Sequence, residues 1–230
     1  MRIIVNKLKF LSFILIIVAS ILLFGFKKNL PKVFIIGDSI SIHYGPYLEK
    51  SLKGYFMYDR KRVSENNLDN PNGANGGDSN MVVLYLNELK ENKNFKTDYL
   101  LINCGLHDIK RNNENNNPQV SLEQYSKNLY KIISISKELG AKLIWINSTP
   151  VIDSIHNSKV SFKRYTEDLN KYNLKSTEIM EEMKIPIIDI YTFTLKFIPD
   201  GYIDHVHYND IVRQKQADFI AENLIQLVKH

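Results

Sequence analysis

The chain has 230 residues, 44% hydrophobic, 24% charged and 11% aromatic. That balance suits one globular domain with a sizeable core and excludes disordered, collagenous and coiled-coil chains. The net charge of +5 is local: Arg2, Lys7, Lys9, Lys27 and Lys28 stand in the first 28 residues with no acid among them, leaving 25 basic against 25 acidic residues in 29–230. A neutral body lacks the basic footprint that nucleic acid requires, so no nucleic-acid partner is expected. The single cysteine, Cys104, excludes an intrachain disulfide and a multi-cysteine zinc site.

The basic residues flank FLSFILIIVASILLFGF, Phe10 to Phe26, which carries no charge. At about 1.5 Å per residue, a helix of this length just reaches across a bilayer core. Val18-Ala19-Ser20 is a poor cleavage site, and cutting there would leave ILLFGF exposed. Residues 1–28 are therefore expected to form an uncleaved transmembrane anchor, in preference to a signal peptide. The body, 29–230, is then expected outside the cytoplasm at the cell membrane, or secreted if the segment is cut.

Beyond Pro31 the chain alternates. VFII (33–36) predicts a strand, and a helix carrying Tyr47, Leu48 and Leu52 follows Ser39. A weaker strand includes Tyr55 to Tyr58, and a helix spans roughly Asn80 to Lys90. DYLLIN (98–103) predicts the next strand, followed by the Asn-rich loop RNNENNNP (111–118). The stretch from Ser121 carries the capping pair Ser121 and Gln124, apolar residues at Leu122, Tyr125, Leu129 and Ile133, and a stop at Gly140. KLIWIN (142–147) and IPIIDI (185–190) predict two more strands. Phe162, Tyr165, Leu169 and Tyr172 mark a helix between them, and a closing helix starts near Asn209. The strands are continuously apolar, as strands buried on both faces are. Such alternation implies a three-layer α/β fold with a parallel sheet, whose loops after strands gather at the carboxyl edge.

Three motifs fall on that edge. Gly37-Asp38-Ser39 follows the first strand, where a serine hydroxyl at a helix N-terminus suits a nucleophile; taken alone, Ser39 reads better as a helix cap. Asp204-His205-Val206-His207 precedes the closing helix, and its spacing lets Asp204 orient the His207 ring as a general base. Asn103-Cys104-Gly105-Leu106-His107-Asp108 ends the third strand, where His107 lines the cleft or is a half-buried histidine and Asp108 a cap. Asn75-Gly76-Gly77-Asp78-Ser79 offers glycine N–H groups at close approach. His43, His205 and His230 are expected to be surface residues. The loops Lys110 to Pro118 and Pro150 to Val160, with Arg111, Asp153 and His156, are expected to shape the cleft.

In this order the motifs resemble the SGNH, or GDSL-like, hydrolase superfamily of esterases and lipases, over about residues 31–228. The resemblance implies a flavodoxin-like α/β/α sandwich with about five parallel strands. It makes Ser39 the nucleophile, His207 the base and Asp204 its orienting acid. It gives the oxyanion hole to the N–H groups of Ser39 and Gly77, with Gly76 in reserve for Gly77. The third block departs from the family pattern: Gly105-Leu106-His107-Asp108 stands where G-x-N-D is usual, so His107 occupies the place of an oxyanion-binding asparagine, as in a GLHD subset. A neutral imidazole donates one hydrogen bond and can fill that role. Asp38, Asn75, Gly76 and Asp108 are expected as further substrate contacts.

The implied reaction is ester hydrolysis without metal or organic cofactor, on acetylated carbohydrate or a small ester. An acyltransferase using the same triad and a membrane-anchored glycan-binding domain are the alternatives. A metallophosphoesterase reading of G-L-H-D fails for want of the D-x-H and G-D-x-x-x-D that it needs.

Overall fold

The computed structural model describes residues 30–62, 73–111 and 116–229. Five strands form one sheet: β1 (Lys32–Ile36), β2 (Met57–Arg60), β3 (Tyr99–Ile102), β4 (Lys142–Ile146) and β5 (Ile187–Ile188). They run parallel in the order β2-β1-β3-β4-β5. The central strands are covered on both faces, which is why their sequences are apolar without alternation. Leu100, Leu101 and Ile102 of β3 have no exposed surface at all. The edge strand β2 instead alternates exposed and half-buried residues.

The helices are α1 (Ser39–Ser51), α2 (Ser79–Glu91), α3 (Leu122–Glu138), α4 (Asp153–Asn157), α5 (Thr166–Glu182), α6 (Ile190–Leu195) and α7 (Asp210–Lys229). Helix α1 packs on α7, while α3 packs on α2 and on α5, and the sheet lies between helical layers. Apolar positions one turn apart explain the packing. In α3, Tyr125, Leu129, Ile132, Ile133 and Ser136 share the buried stripe. The Ser121 hydroxyl caps this helix by accepting from the Gln124 N–H.

The second strand lies two residues later than expected, at Met57–Arg60, and two further elements differ for a clear physical reason. The fifth strand shrinks to two residues, because Pro186 has no N–H to give and the Asp189 side chain accepts from Thr192 N–H, turning the chain into α6. The expected helix around Phe162 starts only at Thr166. Asn157 clamps the backbone of Arg164 through both its N–H and its carbonyl, at 2.9 and 3.0 Å. Asp153 then accepts from the Thr166 N–H at 2.7 Å. Phe162 is thereby freed from the helix. The expected transmembrane segment, Phe10 to Phe26, lies outside the described residues; among the described residues no helix is long and apolar enough to cross a membrane.

In this strand order the chain leaves β1 to one side and returns to β3 on the other, which opens a crevice beyond their carboxyl ends. The turn out of β3 depends on Gly105, whose φ is +147° and whose added Cβ would lie 2.5 Å from Ser148 Oγ. Gly105→Ala is expected to lose about 1–3 kcal/mol of stability through backbone strain and overpacking. Urea unfolding checks this, and an unchanged midpoint would contradict it.

Candidate active site

The turn after β1 carries the first functional group. Gly37 lets it form: a Cβ there would sit 2.7 Å from Ser41 Oγ. The next residue, Asp38, caps α1 by accepting from the N–H groups of Ile40 and Ser41 at 3.0 and 3.3 Å. Burial raises the pKa of this carboxyl, against the lowering effect of its bond from Ser41. Since Asp38 does the capping, Ser39 is left with its hydroxyl free for other partners.

That hydroxyl lies 2.8 Å from His207 Nε2. On the other side of the ring, Nδ1 lies 2.7 Å from Asp204 Oδ2, and Asp204 Oδ1 accepts from the N–H groups of Val206 and His207, both at 2.8 Å. The loop before α7 thus folds back on itself around one carboxylate. Burial would raise the pKa of Asp204, but the two backbone N–H groups and the His207 ring outweigh it and hold the carboxyl at about 2. A permanent carboxylate at Nδ1 keeps the proton on that nitrogen, so the Nε2 lone pair faces the Ser39 hydroxyl. His43 packs against this base with ring centroids 4.6 Å apart, while its own Nδ1 lies 3.3 Å from an Arg213 nitrogen.

Ser39 and His207 open into a cavity of about 340 Å³, whose wall also carries His107, Lys110, Phe162 and Arg164. His107 follows β3, as Ser39 follows β1. Burial, followed by the charges of Arg164, Lys110 and His207, lowers its pKa to about 3. It is therefore a neutral ring, able to donate one hydrogen bond into the cavity.

The other expected site residues have internal partners. Gly77 N–H donates to Asn75 Oδ1 at 2.8 Å, and Gly76 N–H donates to the Gly37 carbonyl at 2.8 Å. Asp108 is fully buried and accepts the Ser79 N–H on both oxygens, at 3.0 and 3.1 Å. Of the four residues expected as substrate contacts, Gly76 ties the loop after β1 to the segment before α2 and Asp108 ties the loop after β3 to the start of α2, while Asp38 caps α1 and the Asn75 side chain accepts the Gly77 N–H. None of the four is on the cavity wall. The expected loop residues are also structural: Arg111 pairs with Asp168 at 2.7 and 2.8 Å, and His156 is wholly buried, with Nε2 3.0 Å from an Arg164 nitrogen.

Phe162 and Arg164 are wall residues that the sequence does not single out, while Lys110 comes from the loop 110–118 that was expected to shape the cleft. The signal available was the F-K-R-Y run at 162–165, whose aromatic residues were absorbed into a helical period. His205, expected at the surface, lies on the cavity wall. Among the described residues no group of three or more His, Cys, Asp or Glu side chains is placed to hold a metal ion.

A serine, a histidine and an aspartate joined in this order, at the switch point of a parallel sheet, have the arrangement of serine hydrolases. The family of GDSL-like lipases and acylhydrolases matches residues 33–220, and the chain belongs to it. Its class of activity is accordingly that of a carboxylic ester hydrolase. No curated protein matches the chain in sequence. Solved structures share its fold. They include a lipase/acylhydrolase from Enterococcus faecalis, 15% identical, with a TM-score of 0.64 over 86% of this chain and 97% of that one. The acetyl xylan esterase AlAXEase is 17% identical, with a TM-score of 0.62 over 84% and 99%. The psychrotrophic esterase EstA from Pseudoalteromonas sp. is 15% identical, with a TM-score of 0.60 over 87% and 100%.

The bracing role of Asp108 has a pH signature. Burial, partly offset by the hydrogen bonds of Ser79, raises its pKa from 3.8 to about 7. A group whose folded pKa exceeds its unfolded value weakens the fold progressively as pH rises between the two. Asp108→Asn removes that dependence. The variant should therefore gain stability relative to wild type from pH 4 to pH 7, measured by urea unfolding; a pH-independent difference would contradict the assignment.

Proposed function

We propose that the protein is a serine esterase working through Ser39, His207 and Asp204. The observation that carries this reading is the hydrogen-bonded chain from Ser39 Oγ through the ring to Asp204, at 2.8 and 2.7 Å. His207 Nε2 takes the hydroxyl proton as Oγ attacks the ester carbonyl. The imidazolium, held by Asp204, then protonates the leaving alcohol as its C–O bond breaks. Water attacks the resulting acyl-serine, giving its proton to the same nitrogen, and the acid leaves as Ser39 regains its own.

The oxyanion is received by the backbone N–H of Ser39 at the positive end of α1 and by the neutral His107 ring. Gly77 joins as a third donor only by sharing its N–H with Asn75 or turning from it. A cavity of about 340 Å³ is near the lower end for ligand sites and favours short acyl groups. Acetylated carbohydrate is the substrate class we favour, supported by the fold shared with an acetyl xylan esterase. We further place the body outside the cytoplasm, held at the membrane by the uncharged segment Phe10 to Phe26 between its lysines. Protease treatment of intact cells should digest the body, and protection would overturn that placement.

Hydrolysis of 4-nitrophenyl acetate, butyrate and octanoate tests the chemistry. Ser39→Ala is expected to abolish turnover, with acetate the preferred ester in the wild type. His107→Ala should lower kcat about 100-fold or more, the cost of one oxyanion donor, and His107→Asn should recover most of it. Full activity in Ser39→Ala would refute the mechanism, and unchanged kcat in His107→Ala would remove His107 from the oxyanion hole.

A further inference from the structure

The plane of the His207 ring needs more than its carboxylate to fix it. Rotation of a histidine ring about its bond to Cβ has only broad, roughly two-fold minima, so the side chain does not set that plane by itself. Asp204 holds one edge of the ring, but it does so from an irregular loop and with 41% of its side chain exposed. The bond between Ser39 and the other edge is broken and remade as the proton moves in each turnover. The face of the ring is covered from α1. His43, expected at the surface, is half-buried. It lies one helical turn after Ser39, and residues four apart share a face of a helix, so nucleophile and His43 meet the loop of His207 together. The two imidazoles have centroids 4.6 Å apart and planes tilted by 52°, within the range of direct ring contact. Any large rotation of His207 turns one of its edges into His43.

His43 is fixed in turn from α7. Arg213, in the first turn of that helix, places Nη2 3.3 Å from His43 Nδ1, and since a guanidinium only donates, Nδ1 is the accepting nitrogen. Asp210 accepts from Arg213 Nη1 at 2.8 Å. The arginine side chain is only 18% exposed, and its buried Nε meets no hydrogen-bond acceptor among the described residues. An unmet buried donor destabilises a fold, so stability alone does not account for this side chain. Neither His43 nor Arg213 is on the described wall of the cavity, whereas His207 is. We propose that His43 is a positioning residue for the general base, held in place by Arg213, and that it keeps His207 Nε2 aimed at Ser39 through the reaction. The proposal rests on the serine-esterase reading and adds to it a residue that neither touches substrate nor exchanges a proton. Its effect is on alignment, where a misplacement of about 1 Å costs on the order of 100-fold in rate.

The test follows ester turnover and the ring itself in the full chain. His43→Ala and His43→Gln both remove the ring, and glutamine, which keeps an acceptor for Arg213, decides if the alanine variant does not fold. Each should lower kcat for 4-nitrophenyl acetate about tenfold or more, while KM stays within about twofold. His43→Phe restores a flat ring without a nitrogen and should recover most of kcat. Arg213→Gln should lower kcat in the wild type yet change it little in the His43→Phe background, where there is no nitrogen to hold. The His207 Nδ1 proton, in a charge-assisted bond to Asp204, gives a low-field NMR resonance identified by its loss in His207→Ala. That signal should broaden by exchange with water in His43→Ala and His43→Gln, and return in His43→Phe. Unchanged kcat and an unchanged signal without the ring overturn the proposal and leave the esterase standing. Failure of phenylalanine to restore either readout also overturns it, as does a rise in KM in place of the fall in kcat. An equal loss from Arg213→Gln in both backgrounds removes Arg213 from it. A signal that responds to His43 in a wild type that turns over no ester leaves the ring contact standing and overturns the esterase reading.

Discussion

Everything in this protein that bears on chemistry hangs from the pairing of β1 with β3 at the centre of the sheet. Ile36 lies beside Ile102 in register, and the pairing continues past the strand ends, where the Asn103 N–H donates to the Ile36 carbonyl at 3.0 Å. The two chains therefore emerge side by side, one into Gly37-Asp38-Ser39 and the other into the loop that bears His107. The Gly76 N–H on the Gly37 carbonyl and Asp108 on the Ser79 N–H add the start of α2 to the same knot. A shift of this register would separate Ser39 from His107. The rigidity of a sheet buried on both faces is what holds them within reach of one another.

Around that knot the electrostatics are divided. On one side a single carboxylate, Asp204, is kept ionised by backbone donors and fixes the tautomer of His207. On the other side burial, followed by the charge of Arg164, keeps His107 and His156 neutral. A neutral His107 is thereby available as a hydrogen-bond donor on the wall opposite Asp204.

Much of this was legible in the sequence. Continuous apolar runs at 33–36, 98–103 and 142–147 gave the strands, because burial on both faces leaves no alternation. The G-D-S and D-x-x-H motifs pointed to the residues that the structure joins by hydrogen bonds, because their geometry is local: Asp204 reaches His207 within one turn, and Ser39 sits where strand becomes helix. What was not legible depends on partners remote in the chain. Asp108 faces Ser79 and not the cleft, a choice made across 29 residues of sequence. Phe162 fits a helical period yet stays outside the helix, because Asn157 holds the backbone of Arg164. Asp38 carries out the capping that the triplet taken alone assigns to Ser39, and His205 reaches the cavity through the fold of a loop that its own sequence does not specify.

The most direct test of the central claim is covalent labelling with diethyl 4-nitrophenyl phosphate followed by peptide mass mapping. A nucleophile activated by a neutral imidazole displaces 4-nitrophenolate and keeps the diethyl phosphoryl group. The account predicts one adduct, on the peptide containing Ser39, and none in His207→Ala. An adduct at another residue, or equal labelling of Ser39 when His207 is gone, would contradict it.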